Sequence, residues 1–381
     1  MIAEKINSLK PSATMEINRK SKELQAKGMP VINLSVGEPD FDTPGPIKDY
    51  AIESIKEGFT KYTVPKGIPE LREEICRKLK EDNGLIYDPE QVVVSNGAKH
   101  SLFNVFLAII EQGDEVIIPA PYWVSYPAMV QIAGGVPVFC RWDKNFKIDT
   151  GHLKSLINDK TKALVLNSPS NPTGIVYEKE ELEELAKIVA ERNILCISDE
   201  VYEKIIYEKR RHYSIASFSP EVQRRTVVIN GVSKSFSMTG WRIGYMAAAK
   251  EIAAAVSKVQ GQTTSAPCSI SQKAAYFAMK QGDELSSGMI AEFSRRREFL
   301  LRNLPDEFSY PVPMGAFYLF FSYKGMDSVE LSEKLLEEKF LAAVPGKDFG
   351  ADRFVRISYA TSMKNLEETV KRLREVAGEG S

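Results

Sequence analysis

The chain has 381 residues, 43% of them hydrophobic and 27% charged, with a formal net charge of −1. That length suits one large domain with a smaller one, and the apolar content is ample for a sizeable core. Near-neutrality gives no global field toward nucleic acid or an anionic membrane, and no apolar run approaches a membrane span.

Smaller counts narrow the classes further. Cys76, Cys140, Cys196 and Cys268 lack CxxC spacing and read as buried thiols in a reducing cytoplasm, neither a disulfide frame nor a metal site. His100, His152 and His212 form neither HxH nor HExxH, so no metal is expected. Met1 to Lys20 contains no apolar h-region, which leads to the expectation of a cytoplasmic protein.

In chain order, Pro11-Ser-Ala-Thr14 predicts the cap of a helix that runs to Lys27 and stops at Gly28. Val31 to Val36 reads as a short strand. Gly37 to Pro44 is a loop with no helical period, of the kind that often carries function. Helices are predicted from about Ile47 to Glu57 and from about Pro69 to Asp82, on either side of Lys61-Tyr-Thr-Val-Pro-Lys-Gly67. From Gln91 the pattern turns to seven short apolar runs: Val92–Ser95, Glu115–Pro119, Val136–Cys140, Ala163–Asn167, Ile194–Ser198, Thr226–Asn230 and Tyr245–Ala249. Helical patterns at Ser101–Glu111, Lys179–Arg192 and about Lys250–Gln260 separate them. This predicts an α/β fold with a mostly parallel seven-stranded sheet covered by helices. No helix reads between Asn230 and Tyr245, so the last strand is expected to run antiparallel to its predecessor. Beyond about Leu285 the helices (to Asn303, Ser328–Lys339, Lys364–Val376) and strands (Phe317–Phe321, Leu341–Val344, Phe354–Ala360) no longer alternate. That half reads as a smaller α+β domain. The expected division is 1–44 as a segment packing with the small domain, 45–284 as the large domain and 285–381 as the small one.

Ligands of open parallel sheets bind outside the carboxyl ends of the strands, and the polar clusters fall there. Thr226 to Asn230 stops at the turn signal Asn230-Gly231; Lys234 follows on a loop of small and hydroxylic residues, and Arg242 lies eight positions on. Partial desolvation at a sheet rim lowers an amine's pKa and makes it a nucleophile toward a carbonyl. A nearby arginine supplies a planar fork for phosphate. Taken alone, Lys234 is one of 50 basic residues, most of them solvated. Ser95-Asn-Gly-Ala-Lys-His-Ser101 suits an anion at a helix N-terminus, or is a plain βα turn; it is not GxGxxG, which counts against a dinucleotide. Trp123 is either core or the face for a flat heteroaromatic ring. Asn171, in the rigid Asn167–Gly174 turn, is a turn residue or a donor to an anionic oxygen. Asp199, ending the run Ile194–Ser198, either caps a helix or pairs with a cationic ring nitrogen. Arg356 lies in an apolar strand and reads as an edge residue facing water or as the partner of a planar anion. Gly37 is a turn glycine or a point of close backbone approach.

The stretch Ser233-Lys-Ser-Phe-Ser-Met-Thr-Gly-Trp-Arg-Ile-Gly-Tyr245 resembles the Schiff-base loop of the pyridoxal-phosphate-dependent aminotransferases of fold type I, class I. The likeness runs from Pro11 to the Arg356 strand and is nearest the bacterial and archaeal aspartate aminotransferases. It implies pyridoxal 5′-phosphate as cofactor, held by Lys234 as a Schiff base, with Ser233 beside it. It implies Gly97, Ala98, Lys99 and Arg242 at the phosphate, Trp123 on the ring face, Asn171 and Tyr202 at the phenolic oxygen, and Asp199 at the ring nitrogen. Gly37, Lys99, Trp123, Asn171 and Arg356 fall on the substrate side, with Arg356 on the α-carboxylate. The family places Tyr62 on the phosphate of the neighbouring subunit, which requires a homodimer.

With that resemblance the expected reaction is ping-pong transamination between amino acids and 2-oxo acids, with Lys234 moving the proton. One branch of the family uses a partner-subunit arginine for a distal carboxylate, and the corresponding stretch, Gln260 to Pro267, contains none. The resemblance to the branch with the Asn-Gly-x-Lys pattern implies that Lys99 suits acidic substrates, the other reading being that Lys99 only helps neutralise the phosphate. L-aspartate and 2-oxoglutarate are the expected pair; prephenate, aromatic, alanine and broad specificity are the alternatives. A β-lyase remains a rival because a fold does not fix chemistry. A cofactor-sensing regulator is disfavoured because no basic helix-turn-helix pattern precedes the domain.

Overall fold

The computed structural model describes residues 2, 4–7, 9 and 13–378. Pro11 and Ser12 lie outside the described residues, and with them half of the expected cap of the first long helix, which spans Ala13–Ala26. Thirteen strands are described: β1 (Ile32–Asn33), β2 (Val92–Ser95), β3 (Glu115–Pro119), β4 (Val136–Cys140), β5 (Thr161–Asn167), β6 (Leu195–Asp199), β7 (Thr226–Gly231), β8 (Gly244–Ala247), β9 (Phe308–Ser309), β10 (Tyr318–Tyr323), β11 (Leu341–Ala342), β12 (Val344–Pro345) and β13 (Val355–Ser358).

The seven apolar runs form one sheet in the order β2-β8-β7-β6-β5-β3-β4. β8 runs antiparallel to both β2 and β7, and the other pairs are parallel. The cause is local. Between Gly231 and Gly244 there is only the 3-10 turn Thr239–Trp241, too little chain for a parallel crossover. Most of the sheet is buried on both faces: β2, β7 and β8 are buried along their whole length, whereas the edge strand β4 is partly exposed. Each fully buried Val or Ile contributes roughly 1.5–3 kcal/mol relative to exposure.

A second sheet, β12-β13-β10-β9, is antiparallel, with Phe320 opposite Arg356. β13 lies between two partners and Arg356 is 2% exposed, which overturns the edge-strand reading of that arginine. The expected strand Leu341–Val344 is divided. Leu341–Ala342 pairs in parallel with β1, whereas Val344–Pro345 pairs with β13. The expected strand Val31–Val36 shortens to two residues, because Asn33 Oδ1 accepts from the Ser35 N–H (3.1 Å) and hydroxyl (2.7 Å) and turns the chain.

Helices at Ser125–Ile132, Thr150–Leu156, Pro220–Arg225 and Ser269–Gln281 were not foreseen from the pattern. The last buries Ala274, Ala275 and Ala278. Alanine carries the apolar face there, and alanine is a weak hydrophobic signal.

Candidate active site

At the carboxyl edge of the seven-stranded sheet lies a cavity of about 280 Å³. All the residues singled out from the sequence line it, except Gly97 and Tyr62.

Lys234 follows β7 and is half-buried. Its Nζ donates to Gly37 O at 2.5 Å. Burial, first of all, brings its pKa down to about 8; Glu38 opposes this, and Arg242 and Arg356 reinforce it. A substantial neutral fraction near neutrality is what a nucleophilic amine requires. The Gly37 loop is tied onto the lysine loop by Thr43 Oγ1 to Ser237 O (2.7 Å) and by Trp241 Nε1 to Thr43 Oγ1 (3.0 Å). On its other side Asp40 pairs with Arg296 at 2.6 Å. Gly37 has to be glycine: a Cβ there would collide with the Tyr318 hydroxyl.

The anion cradle is made by the N-terminus of the Ala98–Ile109 helix. Its N-cap is Gly97, at φ +86° and with no side-chain cap, so the first-turn N–H groups are open to a ligand. A Cβ on Gly97 would meet the Arg242 guanidinium, and one on Gly244 would meet the Ala98 backbone. Gly97 is thus the packing floor behind the cavity wall that Ala98 and Lys99 form. Arg242 itself adopts the left-handed region at φ 57°, a strained state for a non-glycine residue that clusters at functional sites. It donates to Thr239 O (2.8 Å) and more weakly to Asn96 O (3.4 Å), and its side chain is otherwise exposed at the cradle.

Asp199 ends β6 and is 4% exposed. Burial, its largest influence, pushes its pKa up to about 6; Glu200 adds to this, while hydrogen bonds and Lys234 hold it down. Tyr126 Oη donates to its Oδ2 at 2.7 Å and the Val201 N–H reaches Oδ1 at 3.3 Å. A carboxylate so placed calls for a cationic partner. Trp123 is half-buried, with Lys99 Nζ 4.8 Å from its ring centroid. Partial burial, then Arg242, lowers the Lys99 pKa.

Arg356 reaches the same cavity from β13. Its Nη1 donates to Asn171 Oδ1 (2.9 Å) and its Nη2 to Ser35 O (2.6 Å). Its guanidinium lies 4.6 Å from the Tyr318 ring centroid and 5.1 Å from that of Phe349. Its Nε is buried without a partner, a costly state that a carboxylate ligand would relieve. Asn171, with its oxygen taken by Arg356 and its backbone N–H held by Asn167 Oδ1 (2.8 Å), keeps its amide N–H groups for an acceptor. Tyr202 Oη shares a 2.7 Å hydrogen bond with Tyr318 Oη.

Three residues of the site escaped the sequence reading. Tyr126 lies within the Pro121–Tyr126 stretch, three places after Trp123, where that spacing could have suggested a shared face. Tyr318 sits in an apolar run and reads there as core, and Ser35 acts through its backbone, so neither has a sequence signal. Tyr62 is 99% exposed and lies away from the cavity of its own chain.

A glycine cradle that a Cβ would fill, a buried carboxylate calling for a cation and a low-pKa lysine between them fit one group, pyridoxal 5′-phosphate. Fold and site together define a pyridoxal-phosphate enzyme of fold type I. Comparison with known proteins agrees. The family model for aminotransferase class I and II matches residues 29–373. Aspartate aminotransferase of Bacillus sp. (strain YM-2) is 47% identical, with 98% of each chain covered. The probable aspartate/prephenate aminotransferase of Rickettsia prowazekii is 45% identical, again with 98% of each chain covered. The structure of Thermus thermophilus aspartate aminotransferase with maleate superposes with a TM-score of 0.94 at 42% identity, covering 99% of both chains. The chain belongs to the class I and II aminotransferases, and its cofactor is pyridoxal 5′-phosphate. Among the described residues no helix is long and apolar enough to cross a membrane.

Proposed function

We propose that this aminotransferase moves the amino group of L-aspartate to 2-oxoglutarate, with Arg356 gripping the α-carboxylate and Lys99 meeting the distal one. The observation that carries this reading is a pair of cations, Arg356 and Lys99, on the cavity that also holds the Lys234 amine. The names of the Bacillus relative and of the Thermus structure, the latter with a four-carbon dicarboxylate, support it. Prephenate is kept as a second acceptor because the Rickettsia relative is named for it.

The chemistry supplied by bound pyridoxal phosphate is an electron sink for the pair released at the substrate Cα. The chain does the rest. Ala98 and Arg242 would hold the phosphate, with Gly97 as the floor behind them, Trp123 would cover the ring face, and Asn171 and Tyr202 would hold the phenolic oxygen. Asp199 keeps the ring nitrogen protonated, and Ser233 fixes the turn that carries Lys234. Once released by the incoming amine, Lys234 takes the proton from Cα and returns it, as base and then acid. Arg356 and the Gly37 backbone orient the carboxylate so that this proton faces Lys234.

We further propose a homodimer in which Tyr62 reaches the neighbouring cavity, a cytoplasmic location, and the division 1–44, 45–284 and 285–381. A monomer in sedimentation at working concentration would refute the dimer. The specificity test is Lys99→Ala. It should lower kcat/KM for aspartate roughly tenfold, as for a lost hydrogen bond to a charged group, and leave alanine within about twofold. An unchanged aspartate value would remove Lys99 from the distal site.

A further inference from the structure

Tyr126 lines the cavity, and its contact has no use in the mechanism above. It is 1% exposed and stands at the start of the Ser125–Ile132 helix. Its hydroxyl donates to Asp199 Oδ2 at 2.7 Å, the shorter of the two hydrogen bonds that carboxylate receives. Its ring meets Trp123 edge to face, with centroids 5.3 Å apart and planes at 82°. One short segment therefore supplies both the residue for the ring face and a fixed partner for the buried carboxylate.

We propose that Tyr126 is a positioning residue for cofactor binding: its hydroxyl locks Asp199 Oδ2, so that the carboxylate stays ionised and keeps Oδ1 free for the ring nitrogen. The inference rests on the reading of Asp199 as the partner of that nitrogen. Oδ1 is otherwise engaged only by the long Val201 contact, so the rotation of the carboxylate is set at Oδ2. The charged and titratable neighbours divide into two groups. Glu200, on the next residue, disfavours the ionised form, and is itself held by Ser198 Oγ (2.8 Å), Ser214 Oγ (2.6 Å) and His212 Nε2 (3.0 Å). Tyr202 also lies within electrostatic reach of Asp199. Lys234 favours the ionised form from across the cavity, an influence that depends on the proton its nitrogen carries. Tyr126 then remains as the side chain that favours an ionised Asp199 whatever the state of the lysine.

The sign of the pH effect follows. Asp199 titrates at about 6, and the Tyr126 bond favours the ionised form. Removing the bond raises that pKa, so the loss of cofactor affinity on acidification begins at higher pH. The test is a fluorescence titration of apoprotein with pyridoxal phosphate between pH 5 and 8. It is run on wild type, Tyr126→Phe and Tyr126→His, the last restoring an N–H donor. Tyr126→Phe should weaken binding about tenfold near neutrality and move the acid limb up by about one pH unit, and Tyr126→His should recover part of both. Wild-type affinity and an unmoved acid limb in Tyr126→Phe would overturn the proposal. So would a Tyr126→His protein that folds but behaves no better than Tyr126→Phe, or than Tyr126→Ala if Phe does not fold. Wild-type protein that takes up no cofactor would instead sink the reading of the whole site.

Discussion

The cofactor cradle and the carboxylate grip proposed above share one cavity but are built in different ways. The cradle is assembled from the carboxyl ends of strands of one sheet, β2 on one side of β8 and β7, β6 and β5 on the other, each followed by its polar cluster within a few residues. Its geometry is fixed by a sheet mostly buried on both faces. The grip draws on distant parts of the chain: Arg356 holds Ser35 O across 321 positions and Asn171 across 185. Gly37 belongs to a loop tied by Thr43 to one side and by Asp40 to the other. The difference teaches that the cofactor end is preorganised by topology, whereas the substrate end depends on a few long-range hydrogen bonds. Loss of a cradle residue should abolish chemistry or cofactor binding. Loss of a grip residue should weaken selection of the substrate.

The largest expected effect lies in the cradle. Lys234→Ala should lower turnover by roughly 10⁴-fold at saturating cofactor, the upper range for a positioned acid and base. A near-wild-type rate in that variant would break the comparison at its root. Next is Arg356→Lys, which keeps the charge and loses the fork. It should lower kcat/KM for aspartate roughly 10²-fold, mostly through KM, while cofactor affinity stays near wild type. A fall in cofactor affinity as large as the fall in kcat/KM would erase the distinction between the two regions. The smallest effect is expected for Tyr318→Phe. It removes the 2.7 Å bond to Tyr202 and leaves the ring under Arg356. A loss of about fivefold in kcat/KM corresponds to one ordinary hydrogen bond, and a loss beyond 10²-fold would place Tyr318 in the chemistry itself.

The same contrast explains what could be read from the sequence. The cradle was legible because a parallel sheet brings strand ends together without further information. Lys234, Asp199 and Asn171 each follow an apolar run and Arg242 stands just before one, so naming the runs nearly named the site. The antiparallel β8 followed from the missing helix before it, whereas the order of the strands had no signal in the sequence. The grip was less legible. Arg356 carries a sequence signal, but its burial in an internal strand depends on Val344–Pro345 leaving the expected strand to pair with it. Tyr318 and Tyr126 are aromatic residues in apolar surroundings, which sequence cannot separate from core. Only the Asp199 and Tyr202 contacts distinguish them. Ser35 contributes a carbonyl, for which any residue type would serve.

The most direct test of the central claim is the visible spectrum of the purified protein with pyridoxal phosphate, followed as L-aspartate is added. A yellow band from the Lys234 Schiff base is expected, bleaching as the amine form of the cofactor accumulates and returning with 2-oxoglutarate. A band that ignores aspartate yet responds to alanine or phenylalanine would contradict the assignment of Lys99 and the substrate. No band at all would contradict the assignment of Lys234.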